Sequence, residues 1–77
     1  MVFIKELELR DEMIKVFVEV DGETKSTEIS QETHEWLRDG AIIRNRPIQY
    51  FLFRVVKEYG DLTEENILKF MDEKWVI

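Results

Sequence analysis

The dipeptide Asp21-Gly22 lies between two runs rich in β-branched residues, and this leaves few folds open to the chain. A two-residue hairpin loop of type I′ needs positive φ at both central positions, which Gly accepts freely and Asp tolerates. Centring the loop there pairs Val20 with Glu23, Val18 with Lys25, Val16 with Thr27 and Ile14 with Ile29. Successive side chains alternate across a strand, so Ile14, Val16, Val18, Val20 and Ile29 share one face. Asp11-Glu12, a poorer I′ turn, gives a second hairpin that pairs Leu9 with Ile14, Leu7 with Val16 and Phe3 with Val20. Phe3, Leu7 and Leu9 then join the same core face. The expected sheet is a three-stranded antiparallel meander with the second strand central, and Lys15 faces outward opposite Glu8 and Glu28. Val2, Ile4, Met13 and Phe17 share that outer face, as isolated hydrophobes or as a patch for Trp75-Val76-Ile77 or another chain.

Beyond residue 30 the apolar period changes from two to that of a helix. Ser30 is suited to cap a short helix from Gln31 to Asp39, with Glu32 complementing its dipole and Gly40 closing it. Ala41 to Arg46 reads as a linker that buries Ile42 and Ile43. Pro47 fits the first turn of a second helix, which runs to Tyr59 and stops at Gly60. Thr63 caps a third, Glu64 to Lys74. The expected class is therefore α+β: a single domain over 1–77, with a meander over 1–29 and three helices over 30–77 packed on one face of the sheet.

The charge is unevenly placed. The chain carries a formal net charge of −6, yet residues 41–60 hold Arg44, Arg46, Arg54 and Lys57 against Glu58 alone. An acidic chain is repelled at long range by nucleic acid and by anionic membranes, with this basic segment as a local exception. There is no cysteine, hence no disulfide framework and no thiolate ligand. Lys5-Glu6 interrupts the first apolar residues before they form a signal-peptide core, so a cytoplasmic location is expected. Few Asn and Gln beside many Glu and Lys give a thermophile-like composition.

No catalytic, cofactor-binding or metal-binding constellation stands out. His34 is the only histidine, and a metal site needs three or four ligands at defined spacing. Ser30, Thr33 and Thr63 stand at helix starts, where capping accounts for them, and the first-turn glutamates Glu32, Glu64 and Glu65 complement helix dipoles. The glycines fall at one turn and two expected helix ends, which leaves no phosphate loop.

The second helix is the most informative segment. Ile48, Phe51, Leu52, Val55, Val56 and Tyr59 form one helical stripe, and Tyr50 and Phe53 fall outside it, near Arg54 and Lys57. A helix apolar nearly all round is either central in its fold or covered by a partner. The chain is thus expected to be a small non-enzymatic protein-interaction module, self-associating as a homodimer or binding another protein, with Tyr50, Phe53, Arg54 and Lys57 as interface residues. A twofold contact would bring Arg54 or Lys57 of one copy to an acidic residue of the other. The alternative is a small nucleic-acid-binding regulator, with Arg44, Arg46, Arg54 and Lys57 on phosphates and Tyr50 or Phe53 stacked on bases. A helix-turn-helix over the last two helices is disfavoured, because the would-be recognition helix opens with Glu64-Glu65.

Overall fold

A computed structural model describes residues 13–75. Two antiparallel strands, β1 (Met13–Val20) and β2 (Glu23–Ser30), are followed by three helices: α1 (Gln31–Ile43), α2 (Ile48–Tyr59) and α3 (Glu64–Lys74). The hairpin register is the one the Asp-Gly turn dictates, with Val16 opposite Thr27, Ile14 opposite Ile29 and Lys15 opposite Glu28. Asp21 and Gly22 have φ of 54° and 81°, the two positive values a type I′ loop requires. Val16, Val18, Val20 and Ile29 are buried, while Met13, Lys15, Phe17 and Glu19 face outward.

The sheet departs from the expected meander. Among the described residues it has two strands in the order β1-β2, so neither strand is central. The strand expected over Phe3 to Leu9, with its Glu8–Lys15 pairing and the outer-face positions Val2 and Ile4, falls outside the described residues. The class remains α+β, built on a two-stranded hairpin and three helices.

The first helix also differs. It does not end at Gly40 but continues to Ile43, and Gly40 is buried within it against the Trp75 indole. Asn45 takes the left-handed position instead, at φ 58°. Its N–H donates to the Ile42 carbonyl at 3.0 Å, and the Arg46 N–H donates to the Ala41 carbonyl at 3.0 Å. This is a Schellman closure with Asn in the place usually taken by Gly. Lengthening the helix turns Thr33, Leu37, Gly40 and Ala41 inward and Ile42 and Ile43 outward. The expectation that Ile42 and Ile43 are buried is thereby overturned, since they are 67% and 77% exposed.

The second and third helices follow their signals, except that Pro47 stands before α2 in extended backbone and not in its first turn. Pro47 is the N-cap of α2, and Gly60 ends it at φ 89° with its N–H on the Val56 carbonyl at 2.7 Å. Thr63 caps α3 by accepting from the Asn66 N–H at 3.0 Å. The core joins the valines and Ile29 of the sheet to Leu37 of α1, to Phe51, Leu52 and Val55 of α2, and to Ile67 and Phe70 of α3. Among the described residues, no helix is long and apolar enough to cross a membrane.

Candidate functional site

The helical period turns Phe51, Leu52, Val55 and Val56 of α2 into the core and leaves beside it a second stripe, of which Tyr50 still packs against the core. That stripe begins just before the helix and carries Arg46, Tyr50, Phe53, Arg54 and Lys57. Tyr50 is half-buried, its ring meeting Phe51 edge-on at 5.0 Å between centroids. The Arg46 guanidinium lies 4.4 Å from the Tyr50 ring centre. Arg54 lies 5.9 Å from the same ring and 5.4 Å from that of Phe70. Phe53 is 37% exposed, with the Lys57 amine 5.5 Å from its ring. The same amine pairs with the Asp21 carboxylate at 3.2 Å, an exposed contact at the hairpin tip. Among the described residues, Arg46 and Arg54 form no ion pair with a carboxylate.

Arg44 stands apart from this group. Its guanidinium stacks 4.2 Å from the Trp75 ring centre and donates to the carbonyls of Gly40 and Trp75, each at 3.2 Å. It closes the corner where α1 ends against the end of α3. The four basic residues singled out in the sequence therefore do not form one patch: Arg46, Arg54 and Lys57 line α2, and Arg44 is engaged elsewhere.

Sequence reasoning missed a second surface. Between α1 and α3 runs an open groove of about 400 Å³ lined by Trp36, Leu68, Met71, Asp72 and Trp75. Trp36 is 52% exposed. On the outward side of α1 the same residue falls in line with Glu32, Glu35, Asp39 and Ile43, at spacings of three and four. That spacing was the available signal, and the expectation that the helix ended at Asp39 concealed Ile43's part in it.

Among the described residues, the most enclosed polar cluster lies where α1 and α3 begin. The buried Thr33 hydroxyl donates to Glu64 Oε2 at 2.6 Å. The Ser30 hydroxyl lies 3.2 Å from the same oxygen, and the Ser30 N–H donates to it at 3.3 Å. Ser30 Oγ also accepts from the Thr33 N–H at 3.2 Å, the capping bond expected of it. The Thr33 hydrogen bond, helped by those from Ser30 and opposed by desolvation, holds the Glu64 carboxyl below its ordinary pKa. A carboxylate kept ionised by hydroxyl donors is a poor base, and among the described residues neither hydroxyl is hydrogen-bonded to a histidine or lysine. The cluster is a clip: Glu64 from the first turn of α3 also complements the dipole of α1.

His34 is partly exposed on α1. Among the described residues, no group of three or more His, Asp or Glu side chains is placed to hold a metal ion. No family model, no curated protein and no solved structure matches this chain.

Proposed function

We propose that this protein is a non-enzymatic protein-interaction module that self-associates, most simply as a homodimer, through the outward stripe of α2. The observation that carries this reading is the composition of the stripe. Two aromatic rings, one half-buried and one exposed, and two cations lie together on one helix of an acidic chain, with Arg46 just before it, and neither arginine has a carboxylate partner among the described residues. Aromatic residues and arginine are the types enriched in interface cores. Covering the exposed part of Phe53 would return about 0.5–1 kcal/mol, taking its 37% exposure as a share of full side-chain burial. The Lys57–Asp21 pair is exposed, and exposed pairs are worth little, so Lys57 can exchange partners readily.

A nucleic-acid-binding regulator is the second reading, favoured by the same interleaving of cations and rings. It has weaker support. The net charge of −6 opposes approach to a polyanion, and Arg44 is occupied with Trp75. Light scattering on the wild type and on Tyr50→Ser/Phe53→Ser tests the leading reading. The wild type should associate and the variant should not. A wild type that remains monomeric at high concentration contradicts it.

A further inference from the structure

Two surfaces of opposite chemistry lie on this one chain. The α2 stripe offers cations and aromatic rings. The groove between α1 and α3 offers the exposed Trp36 indole and the Met71 thioether, with Trp75 already stacked by Arg44, beside carboxylates: Asp72 lines it, and Glu35 neighbours Trp36 on α1. Among the described residues, neither Glu35 nor Asp72 forms an ion pair. The surfaces have no residue in common. Each therefore has unmatched charge around an apolar centre, and each holds what the other needs.

From this we infer that the occupant of the α1–α3 groove is a second copy of the chain, which inserts its α2 stripe. The inference rests on the self-association reading and specifies its geometry. Stripe against stripe would bring Arg46, Arg54 and Lys57 near their own copies, and groove against groove would do the same with Glu35 and Asp72. Like charges facing one another across an interface disfavour both arrangements, whereas stripe in groove pairs cation with carboxylate and ring with indole. In a twofold dimer the contact is made twice, each copy's stripe meeting its partner's groove. Met71 suits such a seat, since an unbranched thioether adapts to an aromatic neighbour.

The test is complementation between two variants altered only at exposed positions. Phe53→Ser/Arg54→Ser removes the stripe and leaves the groove. Trp36→Ser/Asp72→Ser removes the groove's exposed indole and its carboxylate and leaves the stripe. Circular dichroism checks that both fold, and sedimentation velocity reads association of the wild type, each variant alone and the equimolar mixture. Each variant alone should associate at least about tenfold more weakly than the wild type, the loss expected from one interface anchor. The mixture should recover a one-to-one complex, because it restores one intact stripe-in-groove contact. If the wild type associates but the mixture is no stronger than its components, the groove is not the stripe's seat and only this inference falls. A wild type that never associates overturns the self-association reading and this inference with it, leaving the groove to a basic segment of another protein.

Discussion

Gly40→Ala is a substitution for which helix propensity and packing predict opposite signs. Gly40 lies inside α1, where alanine is favoured by about 0.8–1.0 kcal/mol on propensity alone. A Cβ at this position would clash with the six-membered ring of Trp75, most severely at Cζ3. Trp75 must then move, and it is held on other sides. Its ring meets Phe51 edge-on at 5.0 Å, Arg44 stacks on it at 4.2 Å, and its carbonyl accepts from Arg44 at 3.2 Å. An edge-on aromatic pair is worth about 0.5–1.5 kcal/mol and a part-exposed cation–π contact about 0.5–1. Overpacking of a well-filled site costs about 1–3 kcal/mol. Packing should prevail, leaving Gly40→Ala up to about 2 kcal/mol less stable and its Tm lower by up to roughly 16 °C for a domain of this size. Thermal unfolding by circular dichroism measures the shift, and tryptophan fluorescence reports the displaced indole. In a Trp75→Ala background the same substitution should become stabilising, because only the propensity gain remains. A Gly40→Ala protein more stable than the wild type would refute the seat of Trp75 against α1.

Further expectations follow from the polar contacts. Glu64→Ala should cost about 1–2 kcal/mol at neutral pH, the range for charge-assisted hydrogen bonds discounted for partial exposure, with Glu64→Gln costing less because its amide oxygen still accepts from Thr33. The folded-state pKa of Glu64 lies below the ordinary 4.5, so its contribution is present above that pH and is lost as pH falls through the folded value; urea titrations at pH 7 and pH 3 should show the gap to Glu64→Gln closing in acid. The Tyr59 hydroxyl donates to Glu73 at 2.7 Å, and this bond is the main cause of a phenol pKa raised to about 12. Its contribution is present below the ordinary value of 10.0 and is lost as pH rises through 12, so phenolate absorbance should place Tyr59 well above the ordinary value, and Glu73→Ala should bring it back towards 10.0. No appreciable binding to duplex or single-stranded nucleic acid is expected at physiological salt; a salt-sensitive complex abolished by Arg54→Glu/Lys57→Glu would favour the regulator reading.

Local signals were legible where one residue decides the backbone. Asp21-Gly22 fixed the register of β1 on β2, Gly60 ended α2, and Ser30 and Thr63 began their helices, each through a conformation or hydrogen bond formed within a few residues. Gly40 misled because glycine is the usual closing residue, while its role here is steric and depends on Trp75, 35 positions later in the sequence. Asn45, which closes the helix in its place, is a less common choice for the left-handed position. Thr33 was legible as a hydroxyl at a helix start but not as a buried one, since Glu64 comes to it from another helix. The aromatic stripe of α2 could be read from its period. The groove could not, because its residues come from two helices whose packing no local pattern specifies.

Self-association of an acidic chain through a basic aromatic stripe should be visible in the solution mass of the wild type across a concentration series at low and high salt. Sedimentation equilibrium should give a mass rising from 9.3 kDa towards that of a dimer, with weaker association at high salt because charged pairs contribute to the contact. A mass that stays at 9.3 kDa at the highest attainable concentration and lowest salt would contradict it.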